Sequence, residues 1–78
     1  MVDDALIEAA AAGKYAAGLR DELRRLRDAH LAVAARAASL PTMKDANGAV
    51  IAAMYGELAL VVNTYCDRLE AAMKRRQA

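Results

Sequence analysis

The residues able to do chemistry in this chain are few: one histidine, His30, and one cysteine, Cys66. No serine or cysteine stands beside a base, no glycine-rich loop offers to cradle a phosphate, and carboxylates and histidines do not recur at metal-ligand spacing. One histidine with one cysteine is too thin a set for a structural zinc site, and a single cysteine allows no internal disulfide. The expectation is therefore a protein that is not an enzyme, with no catalytic residue, no metal and no cofactor. His30 reads as a packed, hydrogen-bonded ring that fixes register, with a pH-sensitive interface residue as the alternative. Cys66 reads as an inert packed thiol, the alternative being a bridge across a symmetric dimer in an oxidising compartment.

Charge is concentrated in Arg20, Asp21, Glu22, Arg24, Arg25, Arg27 and Asp28. Asp21 with Arg25 and Arg24 with Asp28 stand four apart, a spacing at which opposite charges meet on a helix surface. A solvated helix face explains this run. A phosphate- or RNA-binding patch is the weaker alternative, because acids interleave the bases and no aromatic residue is near for stacking. The net charge of +1 sets up no long-range field toward nucleic acid, so no nucleic-acid partner is expected. Asp3 and Asp4 open the chain and Lys74, Arg75 and Arg76 close it, each sign where a helix dipole favours it.

The elements that must carry these residues are helical. Of 78 residues 21 are alanine, one is proline and none is tryptophan or phenylalanine, and the β-branched residues are too few for a sheet. The fold class expected is all-α, a single domain over residues 1–78: helix 1 over about 3–38, a turn over about 39–46 and helix 2 over about 47–76, forming an antiparallel two-helix hairpin. Pro41 biases Leu40 out of the α region and ends helix 1. Thr42 with Asp45 resembles a capping box that starts helix 2 near Met43, while Asn47-Gly48 is a rival turn signal that delays the start to about Ala49. Gly13 and Gly18 weaken helix 1, so a bend or a separate short N-terminal helix is the alternative to one continuous rod.

Leu19, Leu23, Leu26, His30, Val33, Ala37 and Leu40 recur at alternating steps of four and three, a heptad stripe that keeps one face toward a partner helix. Leu19, Leu23, Leu26, His30 and Val33 are its expected seam with helix 2. Helix 2 carries more than that stripe can cover: Val50, Ile51, Met54, Tyr55, Leu58, Val61, Val62, Tyr65, Leu69, Ala72 and Met73 fill about 160° of arc at helical spacing, with Leu60 outside it. A chain this short needs added burial, and oligomerisation is the route left open. Ile51, Met54, Tyr55, Leu58, Val61, Val62, Tyr65 and Leu69 are thus the expected partner interface, with Leu58 and Val62 at its centre and Tyr15 reaching the same layer. The expected assembly is a homo- or heterodimeric four-helix bundle built with another helical hairpin; a compact three-helix fold is the alternative reading of the arc.

No basic n-region and leucine-rich core of a signal peptide is seen, which gives a cytoplasmic expectation. Residues 49–66 contain Glu57 as their only charge. Gly56, Glu57, Asn63 and Thr64 interrupt that run, and it lies at the lower edge of the ~17 to 25 residues a span requires, so no membrane span is expected.

Two alanine-rich helices around Ala46-Asn47-Gly48 resemble the small WXG100 (ESAT-6-like) helical-hairpin proteins of type VII secretion. The resemblance is architectural and covers nearly the whole chain. Of that family's Trp-x-Gly turn only Gly48 has a counterpart, and its Tyr-x-x-x-Asp/Glu signal is missing, since Leu69 follows Tyr65 and Ala59 follows Tyr55 by four. What the resemblance implies is a signal-less partner or divergent member, a dimer that travels with or chaperones a larger helical effector, with export lacking a cleavable signal peptide. A second resemblance lies in residues 19–28, Leu-Arg-Asp-Glu-Leu-Arg-Arg-Leu-Arg-Asp, which look like the first helix of the all-helical chorismate mutases. It implies that Arg20 binds a substrate carboxylate. The family's second arginine would fall at about Ala37, with Arg36 turned 100° away.

Overall fold

The computed structural model describes residues 2–39 and 45–77, so the expectations about Leu40, Pro41 and Thr42 lie outside the described residues. Asp3 sits in extended backbone and its carboxylate accepts the Leu6 N–H at 2.9 Å, which starts α1, Asp4–Ala12. That is an N-cap with Asp4 in the first turn, where the helix dipole favours an acid. The chain then leaves helical geometry at Gly13, whose φ of −74° and ψ of 154° are extended. Helix resumes as α2, Ala16–Ser39.

The expected single helix over 3–38 is therefore two helices. Gly13 does not need a glycine-only conformation to make the break; its weak helix propensity makes leaving the helix cheap. The gain comes from what the break permits. Ile7, Ala10 and Ala11 of α1 fold back against Leu69 and Ala72, with Leu23 and Met73 closing the cluster. A continuous rod would carry those α1 residues away from that contact.

The last helix, α3, runs Ala46–Gln77. Its cap is Asp45, whose carboxylate accepts from the Asn47 N–H at 3.0 Å and the Gly48 N–H at 3.2 Å. Asn47-Gly48 thus lies inside the first turn, not in a turn that delays the helix. Cross-helix contacts define the topology. Arg24 reaches Glu70, Arg27 reaches Asn63, and His30 packs on Tyr55, so α2 and α3 are antiparallel. Val2 bonds to Tyr65, Asp4 to Arg68 and Glu8 to Arg75, so α1 lies parallel to α3. The result is an elongated molecule of 49 × 20 × 16 Å, with three helices at one end of α3 and two at the other.

The seam between α2 and α3 is not the leucine stripe. The covered row on α2 is Ala16, Arg20, Leu23, Arg27, His30, Ala34 and Ala37, whereas Leu19, Leu26 and Val33 are 42%, 46% and 40% exposed. Both rows obey the same heptad spacing and share Leu23, His30 and Ala37. The physical reason for the rotation lies in the facing helix. α3 presents the small residues Gly48, Ala59 and Cys66 along this side, which leaves room for the longer Arg20, Leu23, Arg27 and His30 of α2 to lie along it. The larger leucines are left flanking the contact.

Leu69, expected at a partner interface, is 1% exposed at the centre of the chain's own core. Leu69→Ala should destabilise by about 2–5 kcal/mol, a large share of what a domain of this size has in total, about 4–12 kcal/mol. Leu60→Ala, at a side chain 68% exposed, should move the melting temperature by no more than a few degrees. Thermal melts followed by circular dichroism compare the two; equal effects would mean that the core lies elsewhere.

Candidate interaction surface

Side chains eighteen residues apart on a helix stand five turns apart on one line. Val50 therefore shares a line with Arg68, and Met54 with Ala72. Arg68 and Ala72 are covered by α1, through the Asp4–Arg68 ion pair at 2.6 Å and the packing of Ala11. Further toward the start of α3, nothing among the described residues covers the same face. Val50, Met54, Leu58 and Val61 are 65%, 45%, 41% and 53% exposed. Ile51, Tyr55 and Val62 form its half-buried inner edge.

Arg27 and Leu31 join Gly56, Ala59, Leu60 and Asn63 around a separate shallow apolar pocket of about 170 Å³ on the other side of the α2–α3 contact. Leu19, Leu26 and Val33 lie on the opposite side of the α2 seam from Leu31, by helical spacing. They flank α3 on the side where α1 docks. The surface is thus a two-helix apolar face, closed at one end by α1 and open over the rest.

The tyrosines are placed differently from one another. The Tyr65 hydroxyl accepts the Val2 N–H at 3.0 Å and its ring lies under the Arg68 guanidinium, 5.4 Å from the centroid. It anchors the start of α1 instead of facing a partner. Tyr55 packs its ring on His30 at 5.7 Å. Tyr15 does not reach this layer: it is 75% exposed in the α1–α2 turn, with Lys14 over its ring. His30 was expected to be hydrogen-bonded, but its shielded Nδ1 has no partner in the described residues. Its packing against Tyr55 is what places it.

The charged rim also differs from the i,i+4 expectation. Arg24 bonds to Glu70 across the helices instead of to Asp28, and Arg25 pairs with Glu22 instead of Asp21. Arg27 donates to the Asn63 side-chain oxygen at 3.0 Å. Partial burial works against the Glu70 carboxylate, yet hydrogen bonds from Arg24 and from the Cys66 thiol outweigh it and hold its pKa below the usual carboxylate range. Burial, reinforced by the Glu70 contact, pushes the Cys66 thiol up. At 1% exposure, Cys66 has no access to a second chain, so the intermolecular bridge is ruled out in this fold.

Sequence reasoning missed α1 as a cover for α3. The signal was present in Ile7, Ala10 and Ala11, spaced three and four apart on one face. Arg20, the candidate carboxylate ligand, is engaged by the adjacent Asp21 at 3.3 Å. Among the described residues no three His, Cys, Asp or Glu side chains converge as a metal site. By length and composition α3 is long and apolar enough to cross a membrane, and only 11% of its most apolar stretch is buried. The expected absence of a span therefore does not follow from the helix itself. No protein-family model matches the chain, and neither do curated proteins or solved structures.

The depressed Glu70 pKa sets a sign for the pH dependence. A carboxylate favoured in the fold contributes stability above its unfolded pKa, about 4.3, and that stability is lost as pH falls through the lower folded value. Melting temperature should therefore drop between about pH 5 and pH 3. Glu70→Gln should show a smaller drop over the same range; an identical profile would remove Glu70 from the account.

Proposed function

We propose that this protein is a recognition module that pairs with another helical element through the apolar face of α2 and α3, without catalysis or cofactor. The observation that carries this reading is the exposed row Val50, Met54, Leu58 and Val61, continuous with the face that α1 already covers. Contiguous apolar surface of this kind marks an interaction site more often than scattered exposed residues do. Covering what remains exposed of these four and of Leu19, Leu26 and Val33 gives about 1 kcal/mol each. Two such faces together reach the range of the association cost, about 4–15 kcal/mol.

The partner in this reading is a helical hairpin. The wider role, a dimer that travels with or shields a larger helical effector, comes from the WXG100 resemblance and rests on architecture alone. A second reading has one observation in its favour: α3 is apolar enough for lipid, and the same row would then lie against a bilayer.

Sedimentation velocity at micromolar concentration should show a species heavier than the 8.3 kDa chain. Met54→Asp combined with Leu58→Asp should return it to a folded monomer, because both side chains are exposed in the single chain. A wild-type protein that stays monomeric and folded overturns pairing, and its flotation with phosphatidylcholine vesicles would favour the lipid reading.

A further inference from the structure

We infer that His30 is an acid-sensitive catch on the α2–α3 seam: protonating its ring loosens the contact between the two long helices. This goes beyond the pairing reading and does not depend on what covers the open face. Nδ1 of His30 is shielded from solvent and has no hydrogen-bond partner among the described residues. The residue is half-buried, and its ring packs on Tyr55 at 5.7 Å, tilted by 51°. In a neutral imidazole one nitrogen is a bare acceptor, and the shielded Nδ1 holds that role when the hydrogen sits on Nε2. Protonation removes this option. Both nitrogens then carry hydrogens, and Nδ1 becomes a charged donor turned into the seam with nothing to receive it.

The described surroundings offer that charge no compensation. On α2, Arg27 lies one turn before His30 in the same covered row, a like charge whose guanidinium donates to Asn63 and Asp28 at 3.0 Å each. On α3, Tyr55 is the titratable side chain that faces the ring, and a phenol is uncharged in acid and neutral solution. Its π-face attracts a cation, but more weakly than an acceptor satisfies a shielded, charged N–H. The acids nearest along each helix stand elsewhere. Asp28 and Glu57 are exposed, and each lies about 200° round its helix, Asp28 from His30 and Glu57 from Tyr55. α1 runs along α3 from Tyr65 to Arg75, so Asp4 and Glu8 do not reach this level. The closed seam thus accepts the neutral ring and opposes the charged one.

A free imidazole takes up its proton at about pH 6.5. Stability drawn from the neutral ring is present above that value and is lost as pH falls below it, by up to about tenfold in the opening equilibrium per pH unit. The loss assigned to Glu70 begins only below about pH 5, so the two are separable. Amide hydrogen exchange of the full chain, each rate divided by its unstructured value, reads the opening of residues 34–39 and 48–53. In the wild-type protein this opening should set in at about pH 6.5 and rise about tenfold from about pH 7.5 to about pH 5.5. His30→Phe keeps a ring on Tyr55 without a nitrogen, and His30→Gln keeps a polar group that does not titrate. Both should hold the opening constant within about twofold over the same range. The wild-type rise repeated in either folded variant assigns the effect to another group and overturns the inference. No rise in the wild-type protein, or one that begins only below about pH 5, overturns it without any variant.

Discussion

The structure depends on the contact between its two long helices. α2 and α3 bury Ala16, Ala37, Gly48, Ala59, Cys66 and Ala72, and Leu69 is the one large residue fully enclosed among them. On α2 the covered row also takes in Arg20, Leu23, Arg27 and His30, so small and large side chains alternate along the seam. Leu26 and Val33 stand at its flank, while Val50, Met54, Leu58 and Val61 lie further round α3, on the line that α1 covers at the other end. The apolar face of the molecule is thus what neither neighbour of α3 reaches.

The break at Gly13 acts on the same face from the other end. Once the chain reverses, the nine residues of α1 cover Leu69 and Ala72, the two large or fully enclosed positions on which the three-helix end is built. Ion pairs Asp4–Arg68 and Glu8–Arg75 lie along the outer edge of this contact. Exposed pairs of this kind add little stability, typically under about 1 kcal/mol each, but two of them favour the parallel register in which α1 lies on α3. The fold is therefore uneven along α3: a small closed core at its C-terminal end and an open two-helix face toward its start.

Much of the fold was legible in the chain. The all-helical class followed from alanine content, the start of the first helix from Asp3 and Asp4, and the excess of apolar arc on the long last helix from its 3.6-residue spacing. The seam was legible only as a period. Two rows offset by one residue, Leu19-Leu26-Val33 and Arg20-Arg27-Ala34, share the same positions 23, 30 and 37, and hydrophobicity alone ranks the leucine row first. Arg20 and Arg27 win because their stems lie along the seam while their heads reach Asp21 and Asn63 at its edge. Ranking by hydrophobicity has no access to that geometry.

By itself, then, the sequence determined what each helix is able to offer: acids at the start of the first, a weak point at Gly13, and an apolar arc on α3 wider than one neighbour covers. These are local properties, set by backbone propensity and by spacing within one helix. Only the tertiary structure decided which part of the arc is core and which is surface. Leu69 and Met54 belong to the same arc, yet one is buried by α1 and the other is not, because burial is settled by where the chain returns after Gly13. That return is a long-range event, chosen by the total packing of α1 against α3, and no window along the chain contains both partners.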